Sequence, residues 1–501
     1  MWPLSPALLV AGLATLCAAA PVLAKDGNYA TLIAELRKLN ERVEKLETRN
    51  RELEQRVTSN AAAETRLQVI EENNKQLEKA LTTERISDKE PDLATRLKAV
   101  EYQALSILKQ ARRVEALEGI SVSTSLTGVV QGVNSGGSAA GSRETRSNYR
   151  GDIAVSLPGG KIGDAEGSLF AQVRLGQGNG IGLVSTYTSS ANTTAFQVVS
   201  ATPDDSFAIL AQAWYQVKIP LPFGGYKAHS REHLHVTLGK IDPFVFFDQN
   251  VAADDESIKF LNNAFVHNPL LDSGGDVGAD RYGFSPGAVI AYANQHSRPE
   301  SYGVSLGIFG SSNGANFSGS PGQPFVIAQF DTTQRFAGLP GNYRVYGWSN
   351  AHASDFDGTT RRHTGVGLSA DQRVGDSTTL FARYGHQIKG QVRFDRALTL
   401  GAEFAGNDWG RGADSVGIAA GFLRTSSEFH SNSLTVDANG DGIPDYAYAA
   451  SGWERIAELY YRFRLNKQVD VSPDFQYIAN PGGNEAASSV KVVSLRARVS
   501  Y

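Results

Sequence analysis

Eight carboxylates crowd the stretch from Ile241 to Arg281: Asp242, Asp248, Asp254, Asp255, Glu256, Asp272, Asp276 and Asp280, with Lys259 as the lysine among them. The same stretch holds Phe244, Phe246, Phe247, Phe260, Leu261 and Phe265, which an extended exposed loop would not keep in water. A segment both acidic and apolar satisfies both demands by folding inward, with its carboxylates turned to cations on facing walls. Arg174, Lys218, Arg383, Arg462, Arg464, Arg496 and Arg498 are the candidate cations, because each sits at the polar parity of an alternating segment, beside the wall carboxylates Glu458 and Asp474. Acid facing base across a narrow aqueous gap gives a transverse field, with donors and acceptors suited to a hydroxylated solute. The competing reading leaves the acids solvated on the surface and pairs the arginines with Glu458 and Asp474.

A second constellation is Asp437, Asn439, Asp441 and Asp445, which set oxygen ligands around Gly440 and Gly442 in the manner of the first half of an EF-hand loop. Tyr448 stands where such a loop needs its closing Glu, so the readings are a structural calcium or an ordinary Asx turn. No other cofactor is implied. His267, His352, His363 and His386 have no GxSxG or HExxH company, so no enzyme is expected, with a hydrolase using an outward Ser and His as the alternative.

The elements that must position these groups are clearest at the C-terminus. Ala457, Leu459, Tyr461, Phe463 and Leu465 alternate with Glu458, Arg462 and Arg464. Val493, Leu495, Ala497, Val499 and Tyr501 likewise alternate with Ser494, Arg496, Arg498 and Ser500. A period of two means strands with one apolar and one polar face. A sandwich core would bury the arginines unpaired, whereas a transmembrane barrel turns them to a water-filled lumen and the apolar face to lipid. Sixteen such strands are expected between Ser121–Val133 and Ser489–Tyr501, including Val392–Glu403. Connections alternate in length: Pro158–Gly163, Gln295–Glu300 and Asn466–Lys467 are short turns, while Gln177–Asp205, Ile241–Arg281 and Thr425–Trp453 are long. That parity puts short turns at the periplasmic end and long loops outside.

At 501 residues with 51 glycines and 20% charged residues, the chain does not have the composition of a helical membrane protein. Residues 1–24 are uncharged and rich in Leu, Ala and Val, which reads as a signal peptide whose removal takes the single cysteine, Cys17. In residues 25–87, Leu32, Leu36, Leu39, Val43, Leu46, Asn50, Leu53 and Val57 step by fours and threes, the heptad of a periplasmic coiled coil. A second amphipathic helix and junction occupies 88–119, and the barrel 120–501. Basic and acidic residues balance from Lys25 to Gly119, so the whole net charge of −4 lies elsewhere and nothing argues for nucleic acid. The heptad implies a homo-oligomer: a trimer is the expectation, and Val at a with Leu at d and Asn50 at a leaves a dimer as the alternative. The stalk could also contact the cell wall, although no S-layer-homology segment precedes the heptads.

Several motifs resemble a known family: Leu238–Pro243 with Phe247-Asp248, Phe260–Asn262, Gly338–Trp348, Glu458–Arg462, Pro473–Gly483 and the entry Leu117–Leu126. Together they are similar to the carbohydrate-selective porins of the OprB type, especially a branch with an N-terminal coiled coil like that of cyanobacterial outer-membrane porins. The resemblance implies a sixteen-stranded outer-membrane barrel that passes small solutes, sugars in the named members and inorganic ions in the coiled-coil branch. An envelope tether or adhesin that uses the barrel only as an anchor is the rival reading.

Overall fold

A computed structural model describes residues 120–188, 190–196, 206–222, 230–280, 282–297, 299–311 and 322–501, with Glu44, Lys45, Thr48, Glu72 and Lys75 as isolated helical positions. The expected signal peptide, coiled coil and second helix otherwise lie outside the described residues. No described helix is long and apolar enough to cross a membrane, which says nothing of strands.

The described residues form a closed antiparallel barrel of sixteen strands, each paired with its neighbours in sequence. They are β1 Ser121–Val133, β2 Glu144–Ile162, β3 Ala165–Gln177, β4 Phe207–Pro220, β5 Glu232–Ile241, β6 Ser285–Asn294, β7 Ser301–Phe309 and β8 Phe325–Phe336. They continue with β9 Leu339–Ser354, β10 Thr360–Arg373, β11 Thr378–Lys389, β12 Phe394–Ala405, β13 Ser415–Thr425, β14 Trp453–Arg464, β15 Val469–Ala479 and β16 Val490–Ser500. The strand expected at Val392–Glu403 is β12, shifted by two residues at each end.

Closure is made by β1 against β16, from Ser125 opposite Ser500 to Val133 opposite Val492. Beyond them the backbones of Tyr501 and Thr124 exchange two hydrogen bonds, of 2.9 and 3.0 Å, so the final aromatic is stitched to the first strand. A closed sheet leaves no edge N–H or C=O facing lipid, which a spanning structure requires. Pairing of β14 with β15 lapses at Tyr461 and Arg462, next to Pro473, whose nitrogen has no hydrogen to donate.

Alternation sorts the side chains as the period-two pattern demands. Leu459, Phe475, Val493 and Leu495 are exposed on the outer wall, while Glu458, Asp474, Gln476, Ser494 and Arg496 of the same strands are buried inside. The polar inner faces need partners, and much of what supplies them is one connection: residues 242–284, between β5 and β6. Phe244, Phe247, Phe260, Leu261 and Phe265 of this segment are all buried, each contributing about 2 kcal/mol of burial. Inward glycines make room for it. A Cβ on Gly307 of β7 would lie 2.7 Å from the Phe247 ring, and one on Gly385 of β11 would lie 2.5 Å from the Asn268 amide oxygen.

Candidate functional site

The 242–284 segment begins with a short helical turn, Pro243–Val245, in which the Asp242 carboxylate accepts from the Phe244 N–H at 3.0 Å. At its middle is the one-turn helix α1, Asn263–Val266, capped by the Asn262 side chain. Between them Asp248 adopts a left-handed backbone, φ 56°. Its carboxylate fixes that conformation: Oδ1 accepts from Tyr346 Oη at 2.7 Å and Arg383 Nε at 3.1 Å, and Oδ2 from the Asn268 N–H at 2.6 Å. Arg383 also donates to the backbone carbonyls of Asp248 and Phe265, at 3.0 and 2.8 Å.

Further along, wall groups grip the segment's backbone. Glu458 accepts from the N–H groups of Leu261 and Asn262 at 2.5 and 3.0 Å, and Arg496 donates to the carbonyls of Glu256 and Lys259 at 2.8 and 2.6 Å. Lys259 reaches Glu403 at 2.5 Å, and Gln476 accepts from Asn262 at 3.0 Å. Backbone polar groups carried into a lumen need such partners, because an orphaned buried amide costs about 1–3 kcal/mol.

The remaining face of the segment meets β2, β3 and β4 through a continuous polar strip. Glu256 accepts from Arg150 at 2.6 Å, Arg150 donates to Asp152 at 3.0 Å, and Asp152 also accepts from Arg174 at 2.7 Å and Gln172 at 2.8 Å. Gln212 continues the strip by donating to Gln172 at 2.7 Å, and its oxygen accepts from Trp214 Nε1 at 3.3 Å and the Asp242 N–H at 3.2 Å. Asp152, Arg174 and Glu256 side chains keep 16–17% exposure, unlike Arg383 and Asp248 at zero. Trp214 stacks on Phe170 at 4.8 Å between ring centroids and meets the edge of Phe246 at 6.3 Å.

His267 completes this edge, stacked on Phe244 at 3.7 Å and hydrogen-bonded to Asp272 at 2.7 Å. Burial alone would lower its pKa, but the hydrogen bond and charge of Asp272, with Asp242 and Asp254, raise it to about 9. The Asp242 carboxyl is pushed upward by burial, with the His267 charge opposing.

A barrel whose lumen is narrowed by an inward-folded connection and lined by paired charges is the architecture of a diffusion channel. The profile of the carbohydrate-selective porin OprB family matches residues 118–501. The chain belongs to that family. It shares 27% identity with Porin B of Pseudomonas aeruginosa over 185 residues, 32% of this chain and 40% of that protein, so it spans less than half of the curated relative's length. The high-pH structure of Pseudomonas putida OprB superposes with a TM-score of 0.59 at 18% identity, covering 78% of this chain and 96% of that one. The low-pH structure of the same protein gives 0.44 over the same shares. The family and the barrel fold are those of outer-membrane channels.

In this porin the residues expected to line a gap divide into three groups. Arg383, Arg496, Glu458 and Asp248 are buried and bound to one another or to the inserted backbone, so they do not face it across open water as the transverse-field expectation required. The reason is desolvation: once the segment presses on the wall, its carbonyls and N–H groups claim those charges. Asp474 is also buried and accepts from Gln476 at 3.1 Å. Arg174, Glu256 and Asp242 join the polar strip, Asp254 and Lys218 are half-buried, and Asp255 accepts from Ser257 N–H at 3.0 Å. Arg462, Arg464 and Arg498 lie near the far end of β14 to β16: Arg462 donates to the Ala413 carbonyl at 3.4 Å, Arg464 to Lys467 at 2.9 Å, and Arg498 to Ser500 at 3.4 Å.

Sequence reasoning missed Arg150, Asp152, Gln172 and Gln212, although the first pair stands at inward parity in β2 and Asp152 faces Arg174 across the strand pair. The Asp437 turn is self-contained: Asp437 accepts from the N–H groups of Gly440, Asp441 and Gly442 at 2.8, 3.1 and 2.7 Å, and Asp445 from that of Ala438 at 2.7 Å. Among the described residues no group of three metal-capable side chains gathers there.

Proposed function

We propose that this porin passes small hydroxylated solutes, carbohydrates foremost, by passive diffusion along the β2–β4 wall past the inserted segment. The observation that carries this reading is the Glu256–Arg150–Asp152–Arg174–Gln172–Gln212 strip. It alternates donors and acceptors, keeps Asp152, Arg174 and Glu256 part-exposed, and ends beside the Trp214–Phe170–Phe246 aromatics. A sugar offers both hydroxyls for such a strip and C–H faces for aromatic rings. The strip's charges are internally paired, which suits a neutral solute more than a selected ion. The short turns face the periplasm in this reading, and residues 25–87 form a stalk that gathers barrels into a trimer.

Single-channel recording of the mature protein in planar bilayers tests the channel, with glucose and maltooligosaccharides titrated in turn. Steady conductance blocked by sugar at millimolar levels is expected. Conductance indifferent to sugar would replace carbohydrates with ions or general solutes, and a folded barrel without conductance would sink the porin function. Chemical cross-linking of the full chain against a variant lacking 25–87 tests the stalk, with loss of trimers on deletion as the expected result.

A further inference from the structure

The part of the inserted segment that returns to β6 is tied to the wall through Asp276, which is buried. Asp276 Oδ2 accepts from Trp348 Nε1 at 2.8 Å and Gln387 Nε2 at 2.7 Å, and its backbone carbonyl accepts from Asn350 at 2.9 Å. Its other carboxylate oxygen lies 2.6 Å from His363 Nδ1. His363, on β10, is itself fully buried, and its Nε2 lies 2.7 Å from Asp355 in the connection between β9 and β10. Both ring nitrogens therefore face carboxylate oxygens, an arrangement in which an imidazolium donates to both. The charged groups packed around it are Asp276, Asp355 and Arg361, which pairs with Asp355 at 3.0 Å and reaches toward Asp357 behind it. Gly390 (φ 114°) packs against the ring so closely that a Cβ there would overlap it.

This arm also shapes the part-exposed edge of the lumen. Four residues before Asp276 is Asp272, the partner of His267. Four residues after it is Asp280, which pairs with Lys240 at 3.2 Å and accepts from the Phe284 N–H at 3.0 Å. The Phe284 ring lies 5.2 Å from the Arg174 guanidinium of the polar strip. We propose that His363 is a positioning residue, a charged latch between Asp276 and Asp355 that holds the return arm against the wall and so sets the width of the passage. A neutral imidazole has one N–H for two buried carboxylates, so deprotonation leaves one carboxylate facing a lone pair and frees the arm.

The inference rests on the channel reading above, and its test separates the two. The charge state is read without conductance, from 15N-imidazole spectra of the histidine-labelled barrel in detergent. Two rings, His267 and His363, are expected to show both nitrogens protonated at pH 8, and one of the two signals is expected to vanish in His363→Gln. A ring at position 363 with one unprotonated nitrogen at pH 8 would overturn the latch even if the barrel conducts. The consequence is read in bilayers on a His267→Gln background, which removes the charged imidazole of the segment itself. As the pH is raised, the frequency of brief current fluctuations is expected to rise at least five-fold. His363→Gln should fluctuate at the high rate throughout, and Asp355→Asn should move the rise to lower pH by weakening the hold on the proton. A profile unchanged by both substitutions would refute the proposal.

Discussion

The attachment of the inserted segment at Asp248 is the point where the structure makes its sharpest energetic claim. Arg383→Met keeps the apolar stem of the side chain, ends where Nε lay and removes three hydrogen bonds: one to the Asp248 carboxylate, one to its carbonyl and one to the carbonyl of Phe265. Asp248 is left buried with only Tyr346 and the Asn268 N–H as donors to its charge. Breaking a buried ion pair from one side costs about 3–5 kcal/mol, so the ratio of docked to undocked segment should fall by roughly 10² to 4 × 10³. Asp248→Asn with Arg383→Met removes both charges while an amide still fills the carboxylate's place, and should recover most of the loss, because the unpaired charge is the costly term. Single-channel recording resolves docked and undocked conductance levels and their dwell times. The coupling between the two substitutions should reach at least 2 kcal/mol, about thirty-fold in the dwell-time ratio. Single variants as quiet as the wild type, or a double variant as poor as the sum of its parts, would refute the reasoning.

Three further outcomes are expected. The His267 pKa of about 9 lies above the unfolded value of 6.5, so its contribution to docking is fully present below pH 6.5 and lost as pH rises through 9. Reversal potentials should accordingly drift toward cation selectivity between pH 8 and 10, and His267→Gln should abolish that drift. Asp152→Asn removes the negative charge shared by Arg150 and Arg174 and should raise anion over cation permeability several-fold, read from the same potentials. Trp214→Ala removes the aromatic at the end of the strip, and the sugar concentration for half-block should rise about ten-fold, corresponding to roughly 1.4 kcal/mol.

What the sequence by itself determined is the barrel: strand number, alternation, the parity of short and long connections and the inward set of wall residues all follow from a period of two. Family motifs at Leu238–Pro243 and Pro473–Gly483 pointed to the same fold. The sequence also marked 241–281 as a segment that leaves the surface, since acids and phenylalanines in one loop have few other places to go. Only the tertiary structure decided which charges that segment consumes. Arg383 and Arg174 sit at equivalent inward parity, yet one is fully buried holding carbonyls and the other is part-exposed beside Asp152. The difference is set by where a backbone more than a hundred residues from Arg383 comes to rest, and hydrogen-bond demand from main-chain groups has no periodicity to read. The His363 site has the same origin, because Asp276 reaches the His363–Asp355 pair of the β9–β10 hairpin only once the segment has folded into the barrel.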